Sequence, residues 1–122
     1  MKQLIAAICA IALWMPVLSW SAATITEAKL GKGVVDREIT EETNMFALNE
    51  QAYLWMRVVD GAGEGITVTW THGAMTYGVD LSIGSNSWRT WSSKVLHLPG
   101  EWSVTVTDSA GATLYQTTLT VQ

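Results

Sequence analysis

Cysteine is nearly missing from this chain. Its one copy, Cys9, lies in an apolar N-terminal run, so the rest of the sequence has no thiol to form a disulfide, ligate a metal or attack a substrate. Histidine is almost as scarce. His72 and His97 fall short of the three or four ligands that a zinc site needs. Calcium loops gather several carboxylates in a DxDxDG pattern, and Asp60-Gly61-Ala62-Gly63-Glu64 is sparse beside that. No metal and no cofactor are expected.

Catalytic motifs are missing too. There is no GxSxG elbow, and Ser92 and Ser93 lie in a strand-like run. The glycines of Gly61–Gly65 lack the Lys-Ser/Thr that completes a phosphate-cradling loop. Eleven acids are present, but nothing sets two of them apart as a hydrolytic pair. The chain reads as a non-enzyme, with a small hydrolase as a less favoured alternative. Cations are few, and the net charge of −4 argues against a nucleic-acid partner, which needs clustered Lys and Arg.

What the sequence does contain begins with a targeting pattern. Met1-Lys2-Gln3 is a short positive start, and Leu4 to Leu18 carries no charge. Pro16 follows near the end of that run, and Ser21 and Ala23 suit positions −3 and −1 of a cut before Thr24. Residues 1–23 therefore read as a signal peptide and 24–122 as one domain. A transmembrane helix needs about 20 apolar residues, more than this run offers. The expected location is the periplasm, with no stable membrane span after cleavage. The alternative is an N-terminal anchor in the inner membrane with the domain facing the periplasm.

Period two dominates the rest. Ile66, Val68, Trp70 and His72 alternate with threonines; Met75, Tyr77, Val79, Leu81 and Ile83 form a second set; Trp102, Val104 and Val106 a third. Ala52–Val59 is apolar on both faces and predicts a central strand. Ala112–Val121 predicts a last strand. Ile25–Leu30 reads as a weaker strand at an edge, with Gly33–Ile39 continuing it after a bend at Gly31-Lys32-Gly33. Glu41–Glu50 has no period and reads as a loop, with a short helical turn as an alternative. Turns are expected at Asp60–Gly65, His72–Ala74, Gly84–Ser87, Pro99-Gly100 and Asp108–Gly111. Together these predict an all-β fold, an immunoglobulin-like antiparallel β-sandwich of about seven or eight strands. Trp70 and Trp102 are expected in the core, and Trp55 is expected to be covered on either face.

The segment Asn86–Lys94, NSWRTWSSK, is the candidate for function. In a strand, Trp88, Thr90, Ser92 and Lys94 share one face, and Arg89, Trp91 and Ser93 the other. The two indoles therefore do not form one platform. Two readings stay open. Either one Trp plugs the core edge while the Arg covers the other, or Arg89, Trp91 and Lys94 form a small recognition patch near Tyr77 or Tyr115.

Val35-Asp36-Arg37-Glu38, Trp70, Trp88–Lys94 and Gly100-Glu101-Trp102-Ser103-Val104 follow one another in an order that resembles the bacterial domain-of-unknown-function 2914 family. The resemblance implies an envelope β-domain spanning nearly all of residues 24–122, and it brings no catalytic residues. The functional expectation is an exported, non-catalytic binding or accessory module for an envelope protein or a glycan. The alternative is an assembly subunit that pairs an edge strand, Ile25–Leu30, with a partner.

Overall fold

The computed structural model describes residues 23–122. The predicted signal segment, apart from Ala23, lies outside the described residues. Nine strands form: β1 (Thr24–Val35), β2 (Glu38–Glu42), β3 (Met45–Phe46), β4 (Gln51–Val59), β5 (Gly65–His72), β6 (Met75–Ser82), β7 (Ser87–Val95), β8 (Gly100–Asp108) and β9 (Thr113–Val121). They make two sheets, ordered β2-β1-β4-β7 and β3-β9-β8-β5-β6. All pairings are antiparallel except β3 with β9.

This is the predicted sandwich, and its order is immunoglobulin-like. β1, β4 and β7 take the places of strands A, B and E; β5, β6, β8 and β9 those of C, C′, F and G. The sequence pattern explains the layers. On β4, Ala52, Leu54, Met56 and Val58 face inward; on β5, Ile66, Val68 and Trp70 do; on β8, Trp102, Val104 and Val106. Every one of them is buried. Facing apolar sets from two sheets leave no room for water between them, which is the main stabilising term of such a fold.

Two indoles pin the core. Trp70 sits on the strand where immunoglobulin-like domains keep a buried Trp. Trp102 opens β8 and donates its Nε1–H to the Leu98 carbonyl at 3.0 Å. A tyrosine commonly makes the equivalent bond back to the chain at this corner of immunoglobulin-like sandwiches; here an indole makes it.

Three expectations need correction. β1 does not bend at Gly31-Lys32-Gly33 but runs twelve residues to Val35. It then reverses through Asp36-Arg37 into β2, with Val35 opposite Glu38. β1 is also not simply an edge. β4 pairs along Thr24–Gly31, and β2 covers Gly31–Val35 on the other side. Finally, Glu41–Glu50 is not all loop, and it holds no helical turn. It contains the end of β2 and the two-residue β3, where Phe46 is buried. Two residues are too short to show a period, so β3 leaves no mark in the pattern and nine strands replace the expected seven or eight.

Candidate binding cleft

The segment Ser87–Val95 is strand β7, an edge of its sheet. Its faces divide as the parity predicts. Thr90 and Ser92 point inward and are buried. Trp91 lies outward, directly opposite Trp55 of β4, which in turn faces Lys29 of β1. The next row across the same surface is Glu27, Arg57 and Arg89. The outer face of this sheet therefore alternates indole and cation. Lys29 lies over the Trp55 ring at 5.7 Å and Arg57 at 6.0 Å.

Trp55 is covered on this outer face, not between the sheets. It is 1% exposed. Part of the reason is the β1–β2 hairpin, whose tip reaches back over the sheet. The Arg37 carbonyl accepts the Trp55 Nε1–H at 2.9 Å. Glu38 forms an ion pair with Arg89. The Arg37 guanidinium lies over the Trp88 ring at 5.6 Å. This hairpin is hard to read from the sequence, because neither of its turn residues is a glycine.

The tip closes one end of a cleft of about 450 Å³ between the two edge strands β6 and β7. Asp80, Leu81 and Ser82 line it from β6, Trp88, Arg89, Thr90 and Trp91 from β7, and Arg37 from the hairpin. Trp88 is half-buried and packs against the core. Its ring lies so close to Gly84 that a Cβ there would stand 2.7 Å from it. Asp80 accepts the Thr67 hydroxyl at 2.8 Å, which fixes the acid on the rim.

Of the residues singled out in the sequence, Arg89 and Trp91 meet in this cleft. Lys94 and Tyr77 meet elsewhere. Lys94 is on the inner face of β7, and its ammonium sits 3.7 Å from the centre of the Tyr77 ring. Tyr77 belongs to an aromatic cluster with His72, His97 and Trp102. With its proton on Nδ1, His97 donates to the Val95 carbonyl at 3.4 Å and accepts the Tyr77 hydroxyl at 3.3 Å. His72 uses Nε2 to reach the Pro99 carbonyl at 2.8 Å. Both histidines are thus engaged in local packing. No group of three or more metal-ligating side chains occurs among the described residues. Tyr115 lies on the far side of the sandwich, in a smaller cleft of about 270 Å³ with Ala28, Leu30 and Thr117.

The profile of a family described as a protein of unknown function, DUF2914, matches residues 57–121, more than half of the chain. The match holds Trp70, Trp88–Lys94 and Gly100–Val104, and it leaves out the Asp36-Arg37-Glu38 hairpin. A search of the curated proteins gave no match. The chain belongs to the DUF2914 family.

Proposed function

For this member of the DUF2914 family, we propose a non-catalytic binding or accessory role in the bacterial envelope, with the β6–β7 cleft as the place where the partner is held. The reading has the domain exported to the periplasm, freed from or anchored by its N-terminal segment. One observation carries it: two indoles, Trp88 and Trp91, and two guanidinium groups, Arg37 and Arg89, line a single open cleft. Its volume is in the range of small-ligand sites, about 300–1,000 Å³. That favours a glycan over a broad protein interface. Indoles offer a flat apolar face to the C–H side of a sugar ring, and guanidinium groups offer donors to its oxygens.

The test is a fluorescence titration with peptidoglycan fragments and a panel of oligosaccharides. A blue shift or quench is expected, and it should vanish in Trp91→Ala while the fold survives. Silence across the panel would sink the glycan version and leave an envelope protein as partner, to be sought by co-purification.

A second reading, strand pairing with an assembly partner, draws on the other side of the sandwich. β2 covers only Gly31–Val35 of β1, and β3 covers only Thr120-Val121 of β9. Thr24–Leu30 and Thr113–Leu119 thus each keep a side without a strand among the described residues. A partner lost on truncation to Ala28 would favour this reading. The bulge between Ile25 and Glu27 speaks against it, because bulges are one means by which edges resist pairing.

A further inference from the structure

The β1–β2 turn is held in a conformation that one of its residues disfavours. Both central positions have positive φ, 52° at Asp36 and 65° at Arg37. Two-residue hairpins of this type favour Asn or Asp followed by Gly. Asp36 fits that preference and Arg37 does not, since a side chain in the left-handed region crowds the following carbonyl. The backbone duty of Arg37 is to offer its carbonyl to Trp55. Glycine would do that equally well, with less strain. The reason for an arginine must therefore lie in its side chain.

That side chain makes no hydrogen bond or ion pair among the described residues. Its guanidinium lies over Trp88 in the cleft. Arg89 differs, because Glu38 already neutralises it. Arg37 thus presents an uncommitted, planar set of donors against an indole, beside a second indole, Trp91. Strain retained around an unpaired functional group is a mark of a site.

We propose that Arg37 is the anion-recognising residue of the cleft and that its ligand is an acidic saccharide, a sugar ring bearing a carboxylate. This rests on the reading of the cleft as a glycan site. The guanidinium fork matches the two oxygens of a carboxylate. The ring that carries the carboxylate lies against Trp91. A sugar phosphate offers similar oxygens but more charge, and the Asp80 carboxylate in the same cleft disfavours a dianion.

The experiment compares three probes: a galacturonic acid tetrasaccharide, its carboxyl-reduced galactose counterpart, and galactose 6-phosphate. Each is titrated into the wild-type chain, Arg37→Gly and Trp91→Ala. The acidic tetrasaccharide should bind the wild type at least tenfold more tightly than the neutral one. Arg37→Gly should remove that preference, weakening the acidic tetrasaccharide at least tenfold more than the neutral one, with an unfolding midpoint equal to or above wild type. Unchanged preference in Arg37→Gly, or a lower midpoint, overturns the proposal. Tightest binding of the phosphate overturns the carboxylate assignment. If both tetrasaccharides bind equally and Trp91→Ala abolishes both, the cleft reading stands and the role of Arg37 falls. If neither binds, or Trp91→Ala changes nothing, the cleft reading itself falls.

Discussion

The indole Nε1–H of Trp70 donates to the Ser92 hydroxyl at 3.1 Å, joining β5 to β7 across the interior. Trp70 has no exposed surface and Ser92 is 3% exposed. An N–H buried there needs an acceptor, and the Ser92 hydroxyl of the facing sheet supplies it. Ser92→Ala strands the donor, which should cost about 1–3 kcal/mol. The same change in a Trp70→Phe background should cost close to nothing, because no donor remains to be stranded. Urea unfolding of the four chains measures the difference. Equal costs in both backgrounds would mean the bond contributes nothing.

Gly84 supports the cleft through its missing side chain. A Cβ at this position meets Trp88 ring atoms at 2.7 and 2.8 Å. Gly84→Ala must therefore push the ring toward the cleft and away from its place against the core. Overpacking of this kind costs typically 1–3 kcal/mol. The expected result is a lower urea midpoint together with a red shift in tryptophan emission. A midpoint and spectrum equal to wild type would show that the ring moves freely.

Strand parity makes half of this site legible in the sequence. Positions 88 and 91 differ by three, so the two indoles leave opposite faces of β7; because β7 is an edge strand, both still reach the one cleft, which parity alone does not show. Burial of Trp70 and Trp102 followed from alternation over their whole strands. The cleft was less legible. Arg37 reaches Trp88 only because the β1–β2 hairpin folds back over the sheet, a contact between residues 51 apart. Asp36 suits the turn, but the following position, which prefers glycine, holds an arginine, so the local signal is weak. Lys94 parted from Arg89 and Trp91 for the reason parity already gave: it lies on the inner face. Trp55 was expected to be covered, but which group covers its outer side depends on that same hairpin.

Glu50 ties the turn before β4 to β1. Its carboxylate accepts the Ala47 N–H at 2.8 Å and lies 3.1 Å from the Lys32 ammonium. The backbone hydrogen bond first, and Lys32 second, hold its pKa below the ordinary glutamate value. A carboxylate lowered on folding stabilises above its unfolded pKa, and that contribution is lost as pH falls through the native pKa. Wild type should therefore exceed Glu50→Gln in urea midpoint at neutral pH. The gap should narrow as pH drops below the ordinary glutamate range. A gap independent of pH would assign the difference to packing, not charge.

Ala23 is the first described residue, and it is already part of the core. It is 2% exposed, and its methyl sits against Gly61, where an added Cβ would stand 2.7 Å away. Gly61 has no side chain, so the two backbones can close this end of the sandwich. A cut before Thr24, the position predicted from Ser21 and Ala23, removes that methyl. Losing one buried methyl with its share of backbone should cost about 1 kcal/mol. A chain beginning at Thr24 is expected to unfold at lower urea than one beginning at Ala22. Equal midpoints would show that Ala23 is dispensable. The protein's own N-terminus, read by mass spectrometry from cell extracts, then tests the proposed export and tells which form the cell makes. A start at Thr24 bears out the cut proposed there and means that the domain works without this contact; a start upstream of Ala23 overturns that cut.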